Sequence, residues 1–306
     1  MRPTMMAHDL AIDQSQRRDV GRATPDGVQA SANGLADDAA GTNGTQAALR
    51  TRLEKPAMAA VIVGHGERGG AGSNELLIRQ AAAVDALGRP HNIRAFAGVL
   101  NGSPSFEDAL QTAMTATVGP VLITPFFMSS GYFVETVLPR RIAEADAKHR
   151  CRVVGPFGDD PGLVPVMHKI ATQHADSAGL DTSQARLLLV GHGSRSGAPA
   201  SARSTRLAAS RLARLDEFHC VDIAFLEEAP LVADVLTYCA RPSVVMGFFS
   251  GDGLHAREDV PDAIETWGRP AVYTGPVGAA SEVPELLFAT IKDAAKSIAP
   301  VAGPTG

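Results

Sequence analysis

The sequence predicts an α/β protein with two tandem parallel-sheet domains related by internal duplication. From Ala59 onward, short apolar runs alternate with longer amphipathic stretches, which is the pattern of strands that alternate with helices. A strand followed by a Gly–His–Gly corner occurs twice, as VGHGE at residues 63–67 and as VGHGS at residues 190–194. The segments after each corner also correspond in order, which indicates that one half of the chain repeats the other.

The apolar runs are the predicted strands. They are continuous rather than alternating, which is typical of parallel strands covered by helices on both faces. The amphipathic stretches between them predict one helix after each strand, so each half has the predicted order βαβαβαβα. In chain order the runs are AAVIV, IRAFAGVL, PVLITPFF, RVVGPF, LLLV, VDIAFL, SVVMGFF and AVYTGPV.

The two halves match segment by segment. Pro104 in NGSPSFEDAL corresponds to Pro230 in EEAPLVADVL, and TPFFMSSGYFVETVLP corresponds to MGFFSGDGLHAREDVP. We therefore expect a first domain over residues 55–180 and a second domain over residues 181–302. Residues 1–54 lack sustained apolar periodicity, and this composition predicts a disordered N-terminal tail.

Ligands of parallel α/β sheets collect beyond the carboxyl ends of the strands, and this rule selects three residues of the second half. His192 follows its first strand, Glu227 follows the second and His255 follows the third, so we expect all three on one rim. Two imidazoles and a carboxylate suit a hydrolytic zinc site, a non-haem iron site or a metal-delivery site, and the residue types alone do not choose among these. A lone histidine at a tight turn is more often structural, but three such residues on one rim favour a functional site.

The first half carries a different set at the corresponding positions. His65 matches His192, Asn101 stands where Glu227 stands, and Phe133 stands where His255 stands. One imidazole is kept, while the carboxylate and the second imidazole are absent. We therefore expect the first half to act as a scaffold and substrate wall, and the second half to carry the metal chemistry.

Composition excludes some classes of partner. The formal net charge is −5 and there is no block of basic residues, which argues against nucleic-acid binding. The first residues contain no apolar run that suits a signal peptide or a membrane span. Cys151, Cys220 and Cys239 form no C-x-x-C pair, so we expect free thiols in a reducing cytoplasm.

Three segments of the second half resemble the class II tetrapyrrole chelatases, especially the sirohydrochlorin cobaltochelatases and ferrochelatases. They are LLLVGHGSRSG, IAFLEEAP and GFFSGDGLHAREDVP, and the resemblance extends over about residues 57–300. It implies two flavodoxin- or Rossmann-like domains (the chelatase fold) that insert Co²⁺ or Fe²⁺ into sirohydrochlorin, in cobalamin or siroheme biosynthesis. It also implies that the metal is a substrate and that no organic cofactor is used.

The resemblance assigns roles to the residues on the rim. His192 and His255 match the metal-binding and proton-accepting histidines, and Glu227 matches their acidic partner. The implied partners are a tetrapyrrole and a divalent metal, with no nucleic acid or membrane. A monomer is expected because the two halves are fused in one chain. The expected substrate-binding residues are Gly193, Ser194, Arg195 and Gly253, with Arg68, Arg140 and Arg203 as further candidates to bind the substrate's carboxylates.

Three other interpretations compete with a chelatase. GHGERG at residues 64–69 has the G-x-G-x-x-G spacing of dinucleotide sites, but the acidic residue that such a site requires is in the other half. GHGE is similar to the R-H-G core of histidine phosphatases, yet Gly64 and Gly191 stand where the arginine is needed. A non-catalytic metal or tetrapyrrole carrier on the same fold stays open, because it requires the same ligands.

Overall fold

The computed structural model describes residues 55–66, 74–145 and 147–298. The predicted tail at residues 1–54 lies outside the described residues, as do Arg68 and the last residues of the predicted second domain.

Two four-stranded parallel sheets form the framework of the described chain, and the predicted α/β fold with two parallel sheets is confirmed. The strand order is β2-β1-β3-β4 in the first sheet and β6-β5-β7-β8 in the second. Every residue of the central strands β1 and β5 is buried, as expected for continuous apolar runs covered on both faces. The strands are β1 Met58–Gly64, β2 Ile93–Val99, β3 Val121–Pro125, β4 Cys151–Val153, β5 Arg186–Gly191, β6 Cys220–Phe225, β7 Ser243–Gly247 and β8 Ala271–Pro276.

A helix follows each strand, as the amphipathic stretches predict. Short π-helical turns, Phe133–Val137 and His255–Asp259, lead directly into the third helix of each half. Ser105 caps the second helix, where its Oγ accepts a hydrogen bond from the Asp108 amide at 3.1 Å. The helices are α1 Glu75–Gly88, α2 Phe106–Ala116, α3 Leu138–Glu144, α4 Leu163–Ser177, α5 Ala200–Ala213, α6 Val232–Tyr238, α7 Val260–Trp267 and α8 Val283–Ser297.

The two halves are interleaved through their last helices. Helix α4 packs against β7, β8 and α5 of the second half, and α8 packs against α1 and β3 of the first half. One buried apolar cluster contains residues of both halves, from Met58 to Ile291. The Gln80 amide also donates to the Gly278 carbonyl at 2.8 Å across the halves. The predicted boundary at residues 180/181 falls between α4 and β5 along the chain, whereas the packing crosses it.

Several strands end before the apolar runs that predicted them. The run PVLITPFF extends two residues beyond β3, which ends at Pro125, and SVVMGFF extends two residues beyond β7, which ends at Gly247. Phe127, Phe248 and Phe249 therefore leave the sheets and line a cleft between the two halves. A run of apolar residues does not distinguish a strand from the buried loop that follows it.

All three cysteines are free thiols. Burial raises the pKa of the Cys151 thiol to about 11. Burial, followed by the negative charge of Asp222, also raises the pKa of Cys220. Thiols whose pKa is raised carry little thiolate near neutral pH, so these two are poor nucleophiles and poor metal ligands. None of the helices within the described residues has the length and apolar character of a membrane span.

Asp85 joins α1 to the edge strand β2. Its buried carboxylate accepts hydrogen bonds from Arg89 Nε at 2.9 Å, Arg94 Nε at 2.6 Å and the Ala95 amide at 3.0 Å. Burial acts to raise the pKa of Asp85, but the hydrogen bonds from Arg94, Ala95 and Arg89 outweigh it and lower the pKa. The ionised carboxylate therefore stabilises the fold.

We expect Asp85→Asn to lower the free energy of unfolding by about 2 kcal/mol at pH 7, because a buried charge partner and one acceptor oxygen are lost. A lowered folded-state pKa gives stability that is present above the unfolded pKa of about 3.9 and is lost as pH falls through the folded-state pKa. The difference between wild type and variant should therefore shrink below about pH 4. Urea unfolding of wild type and variant at pH 7 and below about pH 4 measures this difference.

The exposed Asp176, near the end of α4, provides the matched control. Asp176→Asn should change the unfolding free energy by less than about 0.5 kcal/mol. Equal effects of the two substitutions, or a difference for Asp85→Asn that does not depend on pH, would contradict the role given to Asp85.

Candidate metal centre

The Gly–His–Gly corners lie where the topology of each sheet favours a ligand site. In the order β2-β1-β3-β4, the strand after β1 lies on one side of it and the next strand lies on the other. The loop at the carboxyl end of β1, and the equivalent loop after β5, therefore open into the crevice where such sheets bind ligands. His65 and His192 are the first residues of these two loops.

The same backbone hydrogen bond holds the corner in both halves. The Asn101 amide donates to the His65 carbonyl at 2.9 Å, and the Glu227 amide donates to the His192 carbonyl at 3.0 Å. Asn101 and Glu227 therefore occupy equivalent positions, each beside its histidine. The second glycine of each corner has a positive φ, which is +100° in the first half and +76° in the second.

The π-helical turns bring the third residue against the corner histidine. The rings of His65 and Phe133 meet edge to face with centroids 4.5 Å apart, and the rings of His192 and His255 do the same at 4.7 Å. The duplicated geometry is thus kept while the chemistry differs. One half pairs an imidazole with a phenyl ring, and the other half pairs two imidazoles.

The structure brings the three predicted rim residues together. One ring nitrogen of His192, one of His255 and one carboxylate oxygen of Glu227 all lie within 4.8 Å of one another. His192 Nδ1 lies 3.7 Å from Glu227 Oε2. Ligands of a divalent ion with bonds of about 2.1 Å lie at most about 4.2 Å apart, so a small inward movement of these side chains would close the site.

The hydrogen bonds at Nδ1 orient both imidazoles. His192 Nδ1 lies 3.3 Å from the Gly193 carbonyl, and His255 Nδ1 lies 2.5 Å from Asp259 Oδ2. Both partners are acceptors at these atoms, so a neutral imidazole at either position donates from Nδ1 and has its lone pair on Nε2. Two neutral imidazole nitrogens and a carboxylate oxygen suit divalent iron, cobalt, nickel or zinc.

The loop after His192 is tied to two neighbouring glutamates. The Ser194 amide donates to Glu228 Oε2 at 3.2 Å, and Arg195 Nε lies 3.2 Å from Glu227 Oε1. Glu227 therefore has one oxygen toward Arg195 and the other toward His192. Gly193 and Gly253, also predicted to bind substrate, line the cleft, and Ser194 and Arg195 form the loop beside it.

Two of the other candidate arginines lie on helices, and Arg68 is outside the described residues. Arg140 pairs with Glu144 on α3 at 3.6 Å, and Arg203 is exposed on α5. Sequence reasoning did not single out Asp259 or Glu228 for a role. The spacing of His255 and Asp259, one helical turn apart, was the available signal for the first of these. Glu228 gave no distinct signal because it directly follows Glu227.

A cleft of about 430 Å³ is shared by the two halves. The first half contributes His65, Phe127 and Phe133, so its corner faces the same space as His192 and His255 of the second half. Aromatic and small residues dominate the walls. The lining residues are His65, Phe127, Met128, Ser129, Phe133, His192, Gly193, Ser201, Phe248, Phe249, Ser250, Gly251, Gly253, His255 and Ala256.

The fold and the site define a duplicated α/β protein with a His₂Glu set fit for a divalent metal, whose two histidines line the cleft shared by the halves. The sequence model of the CbiX family matches residues 59–174 and 186–294. These two segments make up most of the chain and cover both halves, so the protein belongs to the CbiX family.

Individual relatives agree with this assignment. A probable sirohydrochlorin cobaltochelatase of Halobacterium salinarum is 29% identical over 230 residues, which is 67% of this chain and 75% of that protein. The solved CbiX described as the terminal enzyme of siroheme biosynthesis in denitrifying bacteria is 31% identical, with a TM-score of 0.65 over 77% of this chain and 98% of that one. The chelatase SirB of Bacillus subtilis subspecies spizizenii, solved with cobalt, is 18% identical with a TM-score of 0.60 over 78% of this chain and 95% of that one, which shows the shared fold.

Proposed function

We propose that this protein inserts Co²⁺ or Fe²⁺ into sirohydrochlorin, as a step of cobalamin or siroheme biosynthesis. The observation that carries the proposal is the convergence of His192, Glu227 and His255 within 4.8 Å, with both histidines lining a cleft that the two halves share. Membership of the CbiX family and the names of the relatives support the same reaction.

The reaction requires a site that removes water from the metal ion and accepts protons from the ring. A divalent ion enters the ring as two pyrrole N–H protons leave, so one M²⁺ replaces two H⁺ in the macrocycle. In this proposal the Nε2 atoms of His192 and His255 and the Glu227 carboxylate hold the metal substrate after it has lost part of its hydration shell. As the ring nitrogens replace these ligands, the same imidazoles and carboxylate become free to accept the two protons.

The remaining walls suit a flat macrocycle with charged edges. Phe127, Phe133 and Phe249 line the cleft and offer apolar surface to a ring face. Tyr132 and Leu254, directly before Phe133 and His255, are large and exposed. Arg195 pairs with Glu227, and metal binding by that carboxylate would release the guanidinium toward a carboxylate of the substrate.

In this proposal one chain is sufficient, because both halves already line the cleft. No organic cofactor is required for a metal-for-proton exchange. A reducing cytoplasm fits the three free thiols.

Anaerobic mixing of the purified protein with sirohydrochlorin and Co²⁺ or Fe²⁺ tests the proposal, with the absorption spectrum of the tetrapyrrole as the readout. A chelatase converts many equivalents of sirohydrochlorin faster than the uncatalysed reaction does. A carrier on the same fold binds the metal or the ring without that turnover, and this result would replace the proposed function. Running the two metals in parallel identifies the preferred substrate.

A further inference from the structure

We propose that Asp259 is a positioning residue that holds His255 in the tautomer and orientation needed for metal binding through Nε2. The inference rests on the proposed function, because it concerns the same three-residue centre. It assigns a role to a carboxylate that need not touch the metal.

The geometry of the π-helical turn is the first observation. His255 and Asp259 are its first and last residues, and Asp259 Oδ2 lies 2.5 Å from His255 Nδ1. An ionised carboxylate has only acceptors, so the shared proton is on Nδ1 and the lone pair is on Nε2. A carboxylate hydrogen-bonded to the far nitrogen of a ligating imidazole fixes its tautomer and its ring orientation.

The two histidines of the centre are oriented by different means. His192 uses the carbonyl of the next residue, Gly193, which is available because the chain is turning out of a strand there. His255 lies inside a helical turn, where nearby carbonyls are already used. The Gly253 carbonyl accepts from the Ala256 and Arg257 amides, and the His255 carbonyl accepts from Val260. The acceptor at its Nδ1 is instead the side chain of Asp259, one turn along the helix.

The first half shows that the carboxylate is not needed to build the turn. The equivalent π-helical turn begins at Phe133 and ends at Val137, which is 6% exposed and packs in the apolar core. The same backbone thus forms with no acidic residue at its last position. The half that has phenylalanine in place of the histidine has valine in place of the aspartate. The acidic residue is therefore present where the imidazole is present, and the turn forms without it.

The test compares wild type with Asp259→Asn and Asp259→Ala at about pH 8, where free imidazole is neutral. The tautomer of His255 is read from ¹⁵N–¹H NMR spectra, with His255→Gln used to assign its signals. Wild type should show the Nδ1–H form. Both variants should show a mixture of the two forms, because alanine accepts no hydrogen bond and an asparagine amide can donate to Nδ1.

Co²⁺ affinity, measured by visible absorption without any tetrapyrrole, should fall roughly 10- to 100-fold in both variants. Asp259→Glu, which keeps a carboxylate, should recover part of the loss. Asp262→Asn removes an exposed charge from the first turn of α7 and is the matched control, with the tautomer and affinity of wild type.

An unchanged tautomer and Co²⁺ affinity in both Asp259 variants would overturn the inference. Neither readout involves sirohydrochlorin. The outcome of this test is therefore separate from the outcome of the metal-insertion assay that tests the proposed function. A wild type that fails to insert metal, but whose His255 tautomer and Co²⁺ affinity depend on Asp259, would refute the proposed function and leave the positioning role supported.

Discussion

Replacing either His192 or His255 with alanine is expected to lower the rate of metal insertion by at least about 100-fold. Each imidazole supplies one of the two nitrogen atoms in the cluster with Glu227, so a single replacement leaves two donors. Two donors hold a hydrated divalent ion weakly, and one base for the departing protons is lost as well. Both side chains are partly exposed, so we expect little change in the free energy of unfolding.

His65→Ala is the matched comparison, because the duplication places this residue at the corresponding corner of the same cleft. Its ring faces Phe133 instead of a second imidazole, and Asn101 stands beside it instead of a carboxylate. We expect His65→Ala to retain most of kcat, with the loss appearing mainly in KM for the tetrapyrrole. Steady-state insertion rates of the three variants, with circular dichroism as the check of folding, measure the asymmetry. Equal losses for His65→Ala and His192→Ala would show that both corners take part in the chemistry.

The strands and the three rim residues could be predicted because local pattern determines them. Continuous apolar runs identify parallel strands, and the ends of three consecutive strands fall on one rim. The duplication strengthened this prediction, since each corner could be compared with a second copy in the same chain. The roles given to the individual residues stay predictions until the variants are measured.

Arg186 shows where local pattern fails. An arginine directly before the run LLLV is expected at an exposed strand end, yet Arg186 is fully buried. Its Nη1 donates to the Val235 carbonyl at 3.0 Å and its Nε donates to Ser243 Oγ at 3.1 Å. Its guanidinium carbon also lies 5.7 Å from the centroid of the Trp267 ring. These partners come from three separate elements. No short stretch of sequence therefore shows that Arg186 is buried.

The interleaving of the two halves was not predicted for a similar reason. The apolar face of α4 indicates that this helix is buried on one side, but it does not indicate which sheet it covers. In the structure α4 packs against β7 and β8, two of the four strands of the other half. Amphipathicity determines that a face is buried, while the choice of partner depends on the shapes of both sheets and on the connecting loops.

We expect Gly193→Ala to lower the rate of metal insertion roughly 100-fold, although the substitution removes no functional group. Displacements of about 1 Å at a reacting centre have effects of this size. Gly193 has a φ of +76°, and a Cβ added there would lie 2.8 Å from Glu228 Cγ and 3.1 Å from Phe225 Cβ. The chain must shift to relieve these contacts. Because Gly193 directly follows His192, and Glu228 follows Glu227, the shift moves two members of the metal centre.

Gly197→Ala separates this displacement from the general cost of a side chain at positive φ. Gly197 lies in the same loop with a φ of +73°, and an added Cβ would meet nothing within 4 Å. Both variants should lose about 1 kcal/mol of unfolding free energy from the left-handed backbone, and Gly193→Ala should lose about 1–2 kcal/mol more from the close contacts. Only Gly193→Ala should lose Co²⁺ affinity and insertion activity. If Gly197→Ala is equally inactive, the loop as a whole controls activity, and the close packing of Gly193 against Glu228 is not what holds the metal centre in place.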